Sequence, residues 1–346
     1  MKKLLFLLLP LGLFAQVDIF SDDSLKLKFA NSITVADLQK YISVLASDSL
    51  EGRETGKPGQ KMAANYIANF FKQIGIPPYK YNSYFQNFKV KTVKRYGRWK
   101  WDKNGVFEKM LNNNYIKGDN IIGFIEGSDL KDEIVVITAH YDHLGIKDSL
   151  IYNGADDNGS GTVAIMEIAQ AFMLAKKEGY GPRRSVLIMP VSGEEKGLLG
   201  SKYYTDNPVY PLENTIANLN VDMIGRIDEY HDNPDYIYLI GSDRLSTELH
   251  QISEEVNDKY INLELDYKYN DKDDPNRYYY RSDHYNFAKN NIPVIFYFNG
   301  VHADYHKESD TIEKIHFPKI EKISRYIFLT AWELANRNER IKLNVN

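Results

Sequence analysis

The 346-residue chain has no cysteine. Disulfides and thiolate metal sites are therefore both excluded, and any metal it binds must be held by nitrogen and oxygen donors. A strong charge bias is also missing: 43 Lys and Arg against 47 Asp and Glu leave a net charge of −4, which argues against nucleic acid as the main partner. The one basic run, residues 89–103 (KVKTVKRYGRWKWDK), reads as a solvated strand edge or hairpin. Beyond the first residues, no stretch is long and apolar enough for a membrane helix. Internal repeats and low-complexity segments are absent as well. What the chain does have is 43% hydrophobic residues, enough for a large core in one elaborated α/β domain or two small ones.

Four short runs read as buried strands: residues 134–139 (IVVITA), 185–191 (SVLIMPV), 216–221 and 293–298 (PVIFYF). They are β-branched or aromatic, bounded by turn or polar residues, and lack the alternation of a strand with one wet face. Between the first two, Ile165, Ile168, Ala169, Phe172 and Met173 repeat at helical spacing after the small-residue turn Asn158-Gly-Ser-Gly161. Strand, loop, helix, strand is a crossover unit, which predicts an α/β fold with a mostly parallel mixed sheet. Thr34 with Asp37 marks a helix start, and the helix runs to about Ala46. Pro58 opens another with Ala63, Tyr66, Ile67, Phe70, Phe71 and Ile74 on one face, stopped by Gly75. Ile320, Ile323, Ile327, Trp332, Leu334 and Ala335 predict a C-terminal packing helix. Residues 80–119 are strand-like but irregular, with a turn at Lys103-Asn-Gly105, and read as an edge hairpin of the same domain.

Five acidic or histidine-bearing segments lie at or just past the apolar runs. They are His140-Tyr-Asp142, Gly154-Ala-Asp-Asp157-Asn, Glu194-Glu195, Val221-Asp222-Met and Tyr305-His306. In a mostly parallel sheet the carboxyl edge of the strands is where sites assemble. A pair of zinc ions about 3.5–4 Å apart needs one bridging carboxylate, one histidine and one carboxylate each, and room for a water. Five protein ligands suffice. A further carboxylate that is not a ligand must accept the water's proton, and Glu194 beside Glu195 offers one of each. Paired acids are usually solvated turn residues, but these follow buried strands, where a carboxylate needs a partner. Asp222, inside the apolar stretch Leu219-Asn-Val-Asp-Met-Ile224, makes the strongest case, because a cation is its simplest partner.

The segments AHYDHLG, NGADDNGSGT, SGEEKGLLGS, NVDMIGR, RSDHYNF and DYHKESDT, in that order, resemble the co-catalytic zinc aminopeptidase family, which also contains glutamate carboxypeptidases and glutaminyl cyclases. The resemblance implies a three-layer αβα fold of the zinc exopeptidase type and two zinc ions. His140 and Asp222 would complete one metal site, Glu195 and His306 the other, and Asp157 would bridge. Glu194 would be the general base for water activated by the metals. Asp142 would accept the ring N–H of His140 and fix its tautomer. Tyr279, in the cluster Tyr278-Tyr-Tyr280, would help stabilise the oxyanion. The bond after the bridging aspartate, Asp157 to Asn158, would be cis. The residues alone leave the bridge open between Asp156 and Asp157. For His143, His284 and His302 the expectation is a hydrogen-bonded histidine of the core or rim.

The reaction implied is hydrolysis of N-terminal residues from peptides with a free amino terminus. Two other readings compete with it, a single-zinc glutaminyl cyclase and a catalytically silent binding module. Retention of five ligand candidates and Glu194 argues against silence. The Asn-Gly-Ser-Gly run after Asp157 is typical of two-metal members and argues against the cyclase. Lys2-Lys3, the apolar run of residues 4–14 and the small residue Ala15 before Gln16 read as a secretory signal over residues 1–15, followed by a catalytic domain over 16–346. This predicts an exported protein, periplasmic or secreted, with no lipid-bearing cysteine. Protein purified from its native host should have a mass corresponding to a chain that starts at Gln16. A mass that still includes Met1 would rule out cleavage.

Overall fold

The computed structural model describes residues 22–95, 98–101 and 115–345. The expected signal segment and the Lys103-Asn-Gly105 turn lie outside the described residues. The described residues open with α1 (Asp23–Ala30), capped by Asp22. Next comes α2 (Val35–Leu45), where the Thr34 side chain accepts a hydrogen bond from the Asp37 amide. α3 (Pro58–Ile74) has proline in its first turn and ends on Gly75 at φ 93°, the left-handed cap that glycine adopts at least cost.

β1 (Phe85–Arg95), β2 (Arg98–Trp101) and β3 (Tyr115–Ile121) pair antiparallel in the order β2-β1-β3. This differs from the expected edge hairpin: the strands form a separate sheet. Its inward residues Phe88 and Val90 bury their side chains with Leu199 in a small cluster of their own, so the sheet does not need the main sheet's edge.

The main elements follow as β4 (Gly123–Ile125), β5 (Leu130–His140), β6 (Gly145–Lys147), β7 (Leu150–Tyr152), α4 (Gly161–Lys177), β8 (Arg184–Val191), α5 (Leu199–Asp206) and β9 (Thr215–Val221). The chain then forms β10 (Tyr236–Ile240), α6 (Thr247–Val256), β11 (Glu264–Asp266), α7 (His284–Ala288), β12 (Val294–Phe298) and α8 (Phe317–Asn336). Seven strands make a mixed sheet ordered β11-β10-β12-β9-β5-β8-β4. Its middle, β12, β9, β5 and β8, is parallel throughout, while β4 and β10 run antiparallel to their neighbours β8 and β12.

Alternate residues of the central strands enter two different cores. Val135, Ile137, Val186, Ile188 and Leu219 pack with Ile42, Ile67, Phe172 and Trp332 from the helices on one face. Ile134, Val136, Leu187, Met189 and Phe296 pack with Tyr204 of α5 and Phe287 of α7 on the other. The fold is thus three layers, helices on both faces of a mixed sheet. The strand sequences read as continuous apolar runs because neither face meets water.

The larger core is closed by aromatic contacts at the end of the chain. Trp332 of α8, fully buried, stacks on Phe29 of α1 at 5.8 Å and on Phe172 of α4 at 6.1 Å between ring centroids, with Phe328 at 5.7 Å. One side chain of α8 therefore joins α1 to α4 within one helical layer. Trp332→Ala should cost about 3–5 kcal/mol of stability through lost contacts and the cavity left behind, measured as a lower urea midpoint. An unchanged midpoint would show that α1 and α8 do not contribute to the cooperative core.

Candidate metal centre

The parallel strands bring the chemistry to one edge. His140 is the last residue of β5 and Asp222 follows β9 directly, while Glu194 and Glu195 lie in the loop after β8. His306 comes from the longer loop after β12, and Asp157 from the loop between β7 and α4.

Two sets of donor atoms converge there. His140 Nε2 lies 3.3 Å from Asp157 Oδ1 and 3.2 Å from Asp222 Oδ1. His306 Nε2 lies 3.1 Å from Asp157 Oδ2 and 3.2 Å from Glu195 Oε1. Asp157 presents one carboxylate oxygen to each set. Zinc bonds of 2.0–2.1 Å in a tetrahedron set donor atoms about 3.3–3.4 Å apart, so both sets match the edges of such a site. His140, Asp157 and Asp222 are one possible metal group; Asp157 and Glu195 fall in a second, with His143.

The loop that carries Asp157 is fixed from several sides. The Asp157–Asn158 peptide is cis, as the resemblance implied. Asp310 accepts the amides of Asp156 and Asp157, the latter at 3.1 Å. Asn158 donates to the Val221 carbonyl at 2.8 Å and accepts from the Met223 amide, so the bridging loop and the Asp222 strand end are bonded to one another. Arg53, 1% exposed, donates to the carbonyls of Leu45, Tyr141, Asn153 and Gly154. One guanidinium thereby joins the loop after β5 to the loop before Asp157.

Asp156 and Asp157 point in different directions. Asp156 turns away, accepting from the Gly225 amide at 2.6 Å and facing His302 Nε2 at 3.2 Å. Glu195 faces His306, while Glu194 belongs to neither donor set.

Two expectations are corrected. Asp142 does not hold His140 through its carboxylate: the ring Nδ1 lies 3.1 Å from the Asp142 backbone carbonyl and 3.7 Å from Oδ1. The carboxylate instead accepts from Thr55 Oγ1 at 2.6 Å and the Glu194 amide at 3.3 Å, which ties it to the base loop. Tyr279 is not brought to the donor sets. Its ring lies 3.8 Å from the Arg244 guanidinium and packs against Tyr280, His284 and Tyr285. The tyrosine that senses the acidic cluster is Tyr305, stacked on His306 at 3.9 Å. Its hydroxyl is pushed up by burial and then by the charges of Asp157, Glu194 and Glu195. Its position next to His306 in sequence was the available signal.

The remaining histidines divide. His284 stacks on Phe296 at 4.7 Å between ring centroids as a packed core residue, and burial pushes it down to about 3, but its ring nitrogens, like those of His143, hydrogen-bond no described residue. His302 pairs with Asp156 as a rim histidine. His143 does not fit the expectation, because neither ring nitrogen hydrogen-bonds a described residue, although Nδ1 lies 3.1 Å from Glu195 Oε1.

The electrostatics of the cluster fit a cation. Asp142, Asp157 and Asp283 are buried, with the half-buried Glu194 close enough to interact with them. Burial first, then repulsion from Glu195, Asp222 and Asp283, raises Glu194 far above the usual carboxylate range, with partial relief from His140. Asp157 goes the other way: burial is outweighed by His143, His140 and His306, which hold it well below that range. Burial opposes the charging of His306, but Asp157 and Glu195 lift it to about 10. Such a set binds either protons or a metal, and metal binding displaces the protons.

The chain is similar to several known proteins. Over 108 residues the chain is 34% identical to the aminopeptidase YwaD of Bacillus subtilis, covering 31% of this chain and 22% of that protein. It is 35% identical over 120 residues to a probable glutamate carboxypeptidase of Arabidopsis thaliana, covering 33% of this chain and 17% of that protein. The matched stretches thus span less than a quarter of either relative. Among solved structures, a zinc aminopeptidase from Bacillus subtilis superposes with a TM-score of 0.67 at 17% identity, covering 90% of this chain and 97% of that one. A glutaminyl cyclase of Bacteroides thetaiotaomicron superposes with a TM-score of 0.62 at 15% identity, covering 87% and 98%. The model of peptidase family M28 matches residues 120–331, more than half of the sequence and the whole span from β5 to the α8 helix, and on that match the chain belongs to this family of peptidases.

Proposed function

We propose that the protein is an exported dinuclear zinc aminopeptidase that removes N-terminal residues from peptides. The observation that carries this reading is the two-sided carboxylate of Asp157, one oxygen facing His140 and Asp222, the other facing Glu195 and His306, with Glu194 left outside both sets. His140, Asp157 and Asp222 would hold one ion, and Asp157, Glu195 and His306 the other. When bound, zinc supplies a Lewis acid for the scissile carbonyl and lowers the pKa of water toward neutrality.

The remaining work falls to the protein. Glu194 takes the proton of the attacking water and returns it to the leaving amine. Burial and its anionic neighbours raise the pKa of its carboxyl, and positive charge held at the donor sets would oppose that shift and favour the ionised form that a base requires. Asp142 positions this loop by accepting the Glu194 amide. His140 is oriented by the carbonyl of Asp142, and Asp222 by Ser282, whose hydroxyl donates to its second oxygen at 2.7 Å.

Glu194→Gln should lower kcat by roughly 10²-fold or more while the zinc content stays the same. Zinc loss in that variant would exchange the roles of Glu194 and Glu195. Asp157→Asn should deplete both ions together in metal analysis, and a fully loaded variant would overturn the bridge.

The reaction itself is tested with aminoacyl amides, their N-acetylated counterparts and N-terminal glutaminyl peptides. Hydrolysis of the free-amine substrates, abolished by acetylation, is expected. Equal cleavage of blocked peptides, or conversion of glutaminyl peptides to pyroglutamyl products with one zinc per chain, would overturn the aminopeptidase assignment. The similarity in fold to a glutaminyl cyclase is the reason for including that substrate.

A further inference from the structure

We propose that His143 is a fourth protein ligand on the Glu195 and His306 side of the centre, making that half a closed four-donor site. The inference rests on the zinc reading above and extends it to a residue outside the five-ligand set.

The argument is geometric. His143 is fully buried, and its Nδ1 lies 3.1 Å from Glu195 Oε1 and 3.7 Å from Asp157 Oδ2. These distances bracket the same tetrahedral edge that the other donors share, about 3.3–3.4 Å. Yet the proximity is not hydrogen bonding. Neither nitrogen of His143, nor Glu195 Oε1, has a hydrogen-bond partner among the described residues. Buried polar atoms at contact distance but not aimed at one another leave a large desolvation cost unmet. His143, Asp157 and Glu195 form one group of possible metal donors whose atoms lie within 4.8 Å of one another, and His306 Nε2 lies 3.1 Å from Asp157 Oδ2 and 3.2 Å from Glu195 Oε1, so a cation among them would supply His143 Nδ1 and Glu195 Oε1 with the partner they lack.

The ring is also held in place beforehand. The His143 amide donates to the Arg53 carbonyl, in an isolated parallel bridge between Glu54 and His143. Gly154 backs the ring so closely that a Cβ there would lie 2.4 Å from its Cγ. The opposite half of the centre has no such addition among the described residues. His140, Asp157 and Asp222 supply three donors, the number that leaves a fourth position for water or substrate. The two halves therefore differ in kind: one is closed and retentive, the other open and reactive.

The test compares wild type, His143→Ala and His143→Gln, stripped of metal and titrated with zinc against a chromophoric chelator. Wild type should bind two zinc ions with unequal affinity. His143→Ala should weaken the tighter site by more than about 10²-fold, beyond the 10–100-fold expected for loss of an outer partner of a ligand, and leave the weaker site unchanged. His143→Gln can still hydrogen-bond Glu195 but offers no imidazole, so it should fail like His143→Ala. Recovery of wild-type affinity in His143→Gln would reduce His143 to positioning Glu195 and overturn the proposal, as would unchanged affinity in both variants.

Because a variant can fail to fold, cobalt-substituted wild type gives an independent reading. Paramagnetically shifted ring signals should come from His140, His143 and His306; the absence of the His143 set would overturn the assignment. A wild-type chain that binds a single zinc, lost on His143→Ala, would support the role of His143 while overturning the two-ion function.

Discussion

The site depends on a concentration of buried negative charge. Asp142, Asp157, Asp222 and Asp283 are buried beside the half-buried Glu194 and Glu195, where three parallel strands of the mixed sheet end. Uncompensated, carboxylates so close together cannot all ionise in a dry interior. Protonation is one solution, and the raised Asp283, at about 7, together with Glu194, shows the cluster leaning toward it. Two divalent cations are the other, and the convergent histidines of this site make that solution available near neutral pH.

Much of the surrounding structure keeps that cluster in register. Asp310 accepts backbone amides of the bridging loop, Arg53 collects four carbonyls from two loops and the end of α2, and Asn158 bonds across to the end of β9. None of these residues is a donor to the centre. Their effect is to make Asp157 point in two directions at once, which a loop held only by its own backbone would not do reliably. The sheet supplies the coarse placement and the buried polar bonds supply the last ångström.

The elements that the sequence revealed are those with one local signal. Residues 134–139, 185–191, 216–221 and 293–298 read as strands because both faces are dry, and each lies within a strand or within one residue of it. Thr34, Pro58 and Gly75 mark helix ends by local backbone chemistry, and each does so in the structure. β10 was not legible. Tyr236–Ile240 is short, follows a polar, proline-bearing stretch, and becomes a strand by pairing with β12 on one side and β11 on the other. The β1 to β3 sheet was read as an edge because separation from the main sheet is decided by side-chain partners distant in sequence, Leu199 above all.

The same division runs through the site. The sequence by itself determined the donor types, the absence of thiolates, the placement of donors after strands, and the six ordered motifs that carry the resemblance. These follow from residue identity and from spacing along the chain. Which way a carboxylate or ring points is different, because it depends on atoms brought together from separate loops. The turning of Asp156 toward Gly225 and His302, the carbonyl of Asp142 that takes the place of its carboxylate, the distance of Tyr279 from the centre and the approach of His143 to Glu195 were decided only by the tertiary structure. A side chain's direction is fixed by the hydrogen bonds and contacts that surround it, and those partners lie tens to hundreds of residues away.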